Sequence, residues 1–261
     1  MDPTPHRIVI KIGTGLLTEE GGTGLDVRQF KRLTYEMADL VQRGVQCIIV
    51  SSGAVGAGLM ALGLNERPKD LASIQACAAI GQSRLMRLYG SLFGRRGLLV
   101  AQVLLTHFDL DSRTRYANAK NTLERLLASR RVVPIINEND TVAVEELRFG
   151  DNDRLSAEVA RLVHADLLIL LTSANGLTAD GNPEGEPIPE VTDVESVAHL
   201  ASADRGQFSV GGMASKLQAV KLAVDSGIMA VIAHGRKPGV LSRVAAGEAV
   251  GTRFVPSAMG H

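Results

Sequence analysis

The chain has 261 residues, 45% of them hydrophobic and 21% charged, and its 28 Lys and Arg residues balance its 28 Asp and Glu residues. Zero net charge gives no electrostatic reason to expect binding to nucleic acid or to a membrane surface. Cys47 and Cys77 lie in apolar segments and are expected to be buried thiols of a reducing compartment, not metal ligands. The N-terminal residues lack the regions of a signal peptide, and no apolar run is long enough to span a bilayer, so the expected location is the cytoplasm.

Apolar runs separated by helical patterns organise the whole chain. Strands are predicted at residues 7–12, 46–50, 98–105, 132–136, 166–171, 228–233 and 253–255, and their apolarity favours a parallel sheet covered on both faces. Between them the helical period predicts helices at 27–41, 70–93, 112–129, 155–163 and 211–225, with short helices at 194–200 and 239–246. This alternation is typical of an α/β sandwich with a mainly parallel central sheet.

The segment 178–189 is rich in Pro and Gly and is interpreted as a loop or hairpin over the sheet edge, not as a domain boundary. Residues 1–261 are therefore expected to form a single domain. Sites in folds of this class lie beyond the C-terminal ends of the strands. Lys11, Ser52, Asn137 and Thr172 each lie at or just after such an end, so they are expected to share one edge of the sheet.

Two polar tetrads follow the strand at 132–136, namely Asn137-Glu138-Asn139-Asp140 and Gly150-Asp151-Asn152-Asp153. Together they hold seven Asn, Asp or Glu side chains. Capping the next helix needs one or two of these side chains. The surplus indicates a site that holds a small polar ligand at a strand end.

Two lysines stand beside glycines. Lys11 precedes Gly13 and Gly15, and Lys216 follows Gly211 and Gly212 at the start of a predicted helix. Lys11 either reaches past the sheet edge to water or points at a phosphate group that backbone N–H groups also approach. A Lys in the first turn of a helix opposes the helix dipole, so a bound polyphosphate would explain Lys216 better than a plain Gly-rich turn does.

A third polar segment, Ser51-Ser52-Gly53-Ala54, is either a strand-to-helix turn or a site for a carboxylate or phosphate. Common catalytic signatures are missing from the sequence: no P-loop, no G-x-G-x-x-G, no G-x-S-x-G and no His or Cys pair with metal-ligand spacing. Hydrolase and zinc readings are therefore weak.

These motifs, taken in order, resemble the catalytic domain of the glutamate 5-kinases, within the amino acid kinase family. The resemblance spans about residues 7–255, includes residues 79–85 and 103–106, and is carried by Lys11-Ile12-Gly13-Thr14, Ser51-Ser52-Gly53-Ala54, Asn137-Glu138-Asn139-Asp140, Gly150-Asp151-Asn152-Asp153 and Gly211-Gly212-Met213-Ala214-Ser215-Lys216. Each motif is weak alone, but five in order with matching spacing are specific.

The resemblance implies a three-layer α/β/α fold, use of ATP with Mg²⁺, and phosphorylation of the γ-carboxylate of L-glutamate, the first step of proline synthesis. By position, Lys11 and Lys216 would stabilise the transferring phosphoryl group and Asp153 would orient both lysines. Ser52, Gly53, Asn137, Asp140 and Asn152 would hold glutamate. The nucleotide would contact Lys11, Gly13, Thr172, Ser173, Val210, Gly211, Gly212, Met213, Ala214, Ser215 and Lys216.

Three departures from the family pattern are visible. Thr172-Ser173 stands where Thr-Asp is frequent, and Phe208-Ser209-Val210 precedes the Gly-rich loop where Gly and Thr are more usual. Many relatives carry a C-terminal PUA domain, which is not expected here because the sequence stops at His261. Proline as a feedback inhibitor, a homo-oligomer and association with glutamate-5-phosphate reductase are expectations from the family and its labile product.

Two other readings stay open. A kinase for another small acid, such as N-acetylglutamate or carbamate, is disfavoured because the segment from Asn137 to Asp140 suits a free α-amine. A non-catalytic amino-acid or nucleotide sensor is disfavoured because Lys11, Asp153 and Lys216 occur together.

Overall fold

The computed structural model describes residues 5–19, 25–64, 66–143, 152–203 and 212–256. One eight-stranded sheet runs through these residues in the order β3-β4-β2-β1-β5-β7-β8-β6. Every pairing is parallel except that of β7 with β8. The strands are β1 (Arg7–Ile12), β2 (Gln46–Ser51), β3 (Leu99–Leu105), β4 (Val132–Glu138), β5 (Leu167–Thr172), β6 (Glu190–Val191), β7 (Met229–His234) and β8 (Thr252–Phe254).

Helices fill the connections between the strands, as the periodicity predicts. They are α1 (Thr14–Leu17), α2 (Val27–Gln42), α3 (Ala54–Ala61), α4 (Leu71–Gly94), α5 (His107–Asp111), α6 (Arg113–Leu127), α7 (Asn152–Leu162), α8 (Met213–Asp225) and α9 (Val240–Ala245), with a 3₁₀ helix at Glu195–Ala203. Side chains cap three of the described helix starts: Asp26 accepts a hydrogen bond from the backbone of Gln29, Asp70 from Ser73 and Thr106 from Asp109.

The two faces of the sheet carry separate apolar cores. Ile8, Ile10 and Ile12 of β1 face α2, α4 and α9, whereas Val9 faces α6, α7 and α8. Because side chains alternate along a strand, Lys11 lies on the same face as Val9. Helices therefore cover both faces, and the predicted three-layer α/β/α architecture with a mainly parallel sheet is confirmed.

Three helices were not predicted, α1, α3 and α5. Helix α3 is apolar on every side, so no helical period marks it in the sequence. A Cβ atom added to Gly58 would overlap the carbonyl oxygen of Cys77, and one added to Gly81 would overlap that of Ala54. Helices α3 and α4 therefore touch backbone to backbone, which explains why glycine is needed at both positions.

The proline-rich segment forms a hairpin-like excursion, since Thr178 and Pro187 make an antiparallel bridge before β6. The excursion suggested by the sequence after Thr141 lies largely outside the described residues. So do Gly150 and Asp151 of the second polar tetrad.

Candidate active site

The C-terminal ends of four neighbouring strands meet at one edge of the sheet. Lys11 of β1 is in register with Val50 of β2 and with Leu170 of β5, and Val50 is in register with Ile136 of β4. Lys11, Ser52, Asn137 and Thr172 therefore lie at or just beyond the same edge, as predicted. The candidate site is built on these strand ends and on the N-terminal turns of α7 and α8.

Lys11, Asp153 and Lys216 form a charged triad at this edge. The Nζ atom of Lys11 lies 2.5 Å from Oδ1 of Asp153, and the Nζ atom of Lys216 lies 3.1 Å from Oδ2 of the same carboxylate. The three residues are only 4%, 0% and 8% exposed, in chain order. Burying charged groups is costly unless they are paired, and here each ammonium group contacts one oxygen of the Asp153 carboxylate.

The charge state of Asp153 follows from two opposing effects. Burial raises its pKa, but the charges of Lys11 and Lys216 and their hydrogen bonds outweigh burial and hold the pKa below its ordinary value. The carboxylate therefore stays ionised at neutral pH. Among the described residues, the triad holds two ammonium groups and one carboxylate, a combination suited to an anionic ligand.

The helices that supply the triad have contrasting N-termini. Asp153 lies in the first turn of α7, where a negative charge is favoured by the helix dipole. Helix α8 begins after Gly212, which caps it without a side-chain hydrogen bond, and Lys216 follows within the next turn. Backbone N–H groups left at a helix N-terminus are suited to binding phosphate oxygens, and Lys216 adds its charge to them.

Side-chain amides form a second cluster beside the triad. The Nδ2 atom of Asn152 donates to the carbonyl oxygen of Ser51 at 2.6 Å and to Oδ1 of Asn137 at 2.7 Å. The Nδ2 atom of Asn137 donates in turn to Oε1 of Gln82 at 2.8 Å. Asn137 and Asn152 are 2% and 5% exposed, so these bonds fix their orientation.

The turn after β2 adds a hydroxyl group to this cluster. The Oγ atom of Ser52 is buried and has no hydrogen-bond partner among the described residues. An unsatisfied buried hydroxyl costs about 1–3 kcal/mol, a cost that a bound polar ligand would remove. The neighbouring Gly53 has φ of 94°, in the left-handed region that favours glycine.

Tyr89 of α4 supports this turn from the other side. Its hydroxyl group and the Oγ atom of Ser51 are 3.1 Å apart, and Ser51 donates to the carbonyl oxygen of Ser52. Burial raises the pKa of Tyr89, so its hydroxyl group remains protonated. Sequence reasoning missed Tyr89, as it missed Gln82, because nothing in a helical pattern shows which loop a polar residue will meet.

The remaining predicted residues fall into two groups. Gly13, Thr172 and Asp140 are half-buried near the strand ends, and Ser173 is exposed. A Cβ atom added to Gly13 would lie 3.7 Å from Nζ of Lys11, so the glycine keeps the approach to that ammonium group open. Gly212, Met213, Ala214 and Ser215 lead into Lys216 at the start of α8, whereas Val210 and Gly211 lie outside the described residues.

Within the described ranges, no group of three or more His, Cys, Asp or Glu side chains is arranged to hold a metal ion. Both oxygens of Asp153 are engaged by lysines. A metal ion at this site would therefore need most of its oxygen ligands from a bound anion. Among the described helices, none combines the length and the apolar character that crossing a membrane requires.

The fold and the triad point to a class of phosphotransferases, and comparison with known proteins agrees. The model of the amino acid kinase family matches residues 6–234, and the chain belongs to this family. It is 49% identical to the glutamate 5-kinase of Dehalococcoides mccartyi over 259 residues, which cover 96% of this chain and 69% of that protein. It is also 49% identical to the glutamate 5-kinase of Moorella thermoacetica, with coverage of 96% and 67%.

A solved structure shows the same fold at much lower sequence similarity. The structure of the UMP kinase of Bacillus anthracis superposes on this chain with a TM-score of 0.66 at 17% sequence identity. The superposition covers 98% of each of the two chains. The family predicted from the ordered motifs is confirmed by the family model and by the relatives at 49% identity.

Proposed function

We propose that the chain is an ATP-dependent kinase that phosphorylates the γ-carboxylate of L-glutamate to L-glutamate 5-phosphate, the first step of proline biosynthesis. The observation that carries this proposal is the buried triad of Lys11, Asp153 and Lys216 beside a pocket of oriented amides. The identity of 49% with proteins named glutamate 5-kinase supports the choice of substrate.

In this proposal the lysines act on the phosphates. Lys11 and Lys216 contact the phosphoryl oxygens of ATP, and Asp153 holds the two ammonium groups at a fixed separation. The N-terminal turn of α8, with Gly212, Met213, Ala214 and Ser215, holds the nucleotide together with Gly13, Thr172, Ser173 and the predicted Val210 and Gly211. Mg²⁺, when bound with ATP, neutralises phosphate charge.

The amide cluster and the turn after β2 hold the acceptor. Ser52 and the backbone at Gly53 face the carboxylates of glutamate, and Asn137, Asp140 and Asn152 complete the pocket. The buried hydroxyl group of Ser52, which lacks a partner among the described residues, supports a ligand at this position.

The chemistry needs no general base, because the attacking γ-carboxylate is already an anion. A bond forms between one carboxylate oxygen and the γ-phosphorus atom, while the bond from that phosphorus to the β,γ-bridging oxygen breaks and ADP leaves. Catalysis then consists of positioning and of neutralising the charge on the transferring group. The two ammonium groups of the triad suit that task.

The test is the formation of γ-glutamyl hydroxamate from ATP, Mg²⁺ and hydroxylamine, with L-glutamate, N-acetyl-L-glutamate or no acceptor. We expect hydroxamate with L-glutamate alone. Product formed with N-acetyl-L-glutamate would indicate a kinase for another acid. Binding of ATP and glutamate without any product would indicate a sensor.

The remaining partners are part of the same proposal. We expect a cytoplasmic homo-oligomer that proline inhibits, and whose labile acyl phosphate product favours association with glutamate-5-phosphate reductase. Leu71 and Ile80 on α4 are each 38% exposed, which is compatible with a subunit interface on this helix. Light scattering of the purified chain measures the subunit number.

A further inference from the structure

Four side-chain amides form a continuous relay from the edge strand β3 to the candidate acceptor pocket. Gln82 of α4 donates from Nε2 to Oε1 of Gln102 on β3 at 3.1 Å. Asn137 donates to Gln82 at 2.8 Å, and Asn152 donates to Asn137 at 2.7 Å. The carbonyl oxygens of Gln102, Gln82 and Asn137 thus each accept a hydrogen bond from the next amide inward.

This direction decides which atoms remain for a ligand. Both N–H bonds of Asn152 are used, one by Asn137 and one by the carbonyl oxygen of Ser51. Only the Oδ1 atom of Asn152 is left, and no donor among the described residues reaches it. The Oδ1 atom of Asn137 accepts twice, from Asn152 and from the backbone N–H of Glu138 at 2.9 Å. Its Nδ2 atom donates once among the described residues, to Gln82, so one N–H bond remains for a ligand.

Gln82 is the side chain that holds this arrangement from outside the pocket. Asn137 is 2% exposed, so its Nδ2 atom needs an acceptor within the protein, and Oε1 of Gln82 is that acceptor. Without it, the amide of Asn137 gains by turning Nδ2 toward another acceptor, which withdraws Oδ1 from Asn152. Asn152 would then be held by one hydrogen bond, to the carbonyl oxygen of Ser51, instead of two, and its Oδ1 atom would lose its fixed position.

We propose that Gln82 is a positioning residue that makes the pocket selective for a free α-ammonium group. Through Asn137 it keeps the Oδ1 atom of Asn152 available as an acceptor for that group, while the spare N–H of Asn137 is available to a carboxylate. A hydrogen bond to a charged donor is stronger than one to a neutral donor, so an acid without the ammonium group gains less. This inference rests on the proposed function, because it assumes that glutamate occupies this pocket.

Gln102 has a weaker part in the relay. It is exposed on the edge strand, and water can replace it as the acceptor for Gln82. We therefore expect a Gln102→Met variant to change selectivity less than a Gln82→Met variant.

The experiment compares two dicarboxylates that differ in the ammonium group, L-glutamate and glutarate. Their Kd values are measured by calorimetry for the wild-type chain and for Gln82→Met, Gln82→Glu and Gln42→Met variants. Met keeps the length of Gln but removes the acceptor, whereas Glu keeps an acceptor for Asn137. The Gln42→Met variant is the control, because it makes the same substitution at the exposed end of α2. The amide of Gln42 donates only to the carbonyl oxygen of Arg96.

For Gln82→Met we expect the Kd of L-glutamate to rise roughly 10-fold more than that of glutarate, because only L-glutamate loses the contact to its ammonium group. For Gln82→Glu the added charge weakens both dicarboxylates alike, so the ratio of the two Kd values stays near that of the wild type. Gln42→Met should leave both values unchanged. In turnover, the KM of Gln82→Met for L-glutamate should rise while kcat at saturation is kept.

Two results would overturn the inference. Equal weakening of both ligands in a folded Gln82→Met variant would show that Gln82 only supports the fold. If the wild-type chain binds L-glutamate no more tightly than glutarate, the pocket has no effective acceptor for the ammonium group. Failure of the proposed function is recognised separately, as absence of hydroxamate from the wild-type chain, because the binding ratio does not depend on turnover.

Discussion

The Nζ atom of Lys216 lies 3.1 Å from Oδ2 of Asp153, a carboxylate with no exposure to solvent. This contact joins the first turn of α7 to the first turn of α8, and the other oxygen of the same carboxylate holds Lys11. A single buried anion thus gathers two cations from distant parts of the chain at the edge of the sheet.

Removing the Lys216 ammonium group should lower kcat strongly. The loss of one positioned donor typically costs ~10²–10³ in rate, and we expect at least that for Lys216→Ala in the hydroxamate assay. Lys221→Ala is the matched control, because Lys221 lies on the same helix but is exposed and pairs with Glu195 and Asp225. Near-normal turnover by Lys216→Ala would exclude the proposed role.

Replacing Asp153 with Asn should destabilise the protein. Two buried ammonium groups would then face a neutral amide, and removal of one partner from a buried ion pair costs on the order of 3 kcal/mol. The free energy of unfolding in urea measures this loss, with the exposed Asp225→Asn variant as a control that should change little.

ATP should stabilise the Asp153→Asn variant more than it stabilises the wild type, since phosphate oxygens would supply the missing negative charge. The shift of the thermal midpoint on addition of ATP measures this difference. An equal or smaller shift in the variant would contradict the idea that the lysines face the nucleotide.

A Cβ atom at position 53 should strain the turn that carries Ser52. Gly53 has φ of 94°, where an L-residue costs about 1–2 kcal/mol, and a change in this backbone angle would displace the neighbouring Ser52. We expect Gly53→Ala to lower stability and to raise the KM for L-glutamate more than the KM for ATP. Gly56→Ala, which is three residues on in helix α3 with no atom within 4 Å of the added Cβ, should keep both KM values.

Acid should weaken the turn after β7 through His234. Burial lowers the pKa of His234 first, and the charges of Lys237 and Arg236 lower it further, below the ordinary 6.5. The neutral ring accepts a hydrogen bond from the backbone N–H of Arg236 at 3.1 Å. Because the pKa is lower in the folded state, this contribution to stability is complete above about pH 6.5 and declines as the pH falls toward the folded pKa.

The His234→Asn variant tests this pH dependence, because Asn keeps an acceptor but does not titrate. The free energy of unfolding should fall less between pH 7.5 and pH 5 in the variant than in the wild type. Parallel curves for the two proteins would contradict the prediction.

The sheet, and the closeness of Lys11, Asp153 and Lys216 at its edge, could be predicted from the sequence. Lys11, Asn137 and Thr172 lie at strand ends, and parallel strands bring such ends to one edge of the sheet. Their closeness in space can therefore be predicted from the positions of the strands alone. Asp153 and Lys216 were placed with them by the ordered motifs of the family. The sequence could not show the pairing distances, because these depend on how α7 and α8 pack on the sheet.

Other features depend on tertiary contacts that no local pattern carries. In the sequence, Gln82 and Tyr89 are ordinary polar positions of α4. Their roles follow from tertiary hydrogen bonds, of Gln82 with Asn137 and of Tyr89 with Ser51. Helix α3 escaped prediction because it is apolar all round, so the usual alternation of buried and exposed faces is missing.

The glycine contact between α3 and α4 has a mechanical consequence. With only backbone between Gly58 and Gly81, there is no side chain whose rotation could absorb a displacement of one helix against the other. The two helices should therefore move together as one rigid body. Helix α3 starts just after Ser52, and α4 holds Asn137 through Gln82. A displacement of α4 would therefore move Ser52 and Asn137, on two sides of the acceptor pocket, together.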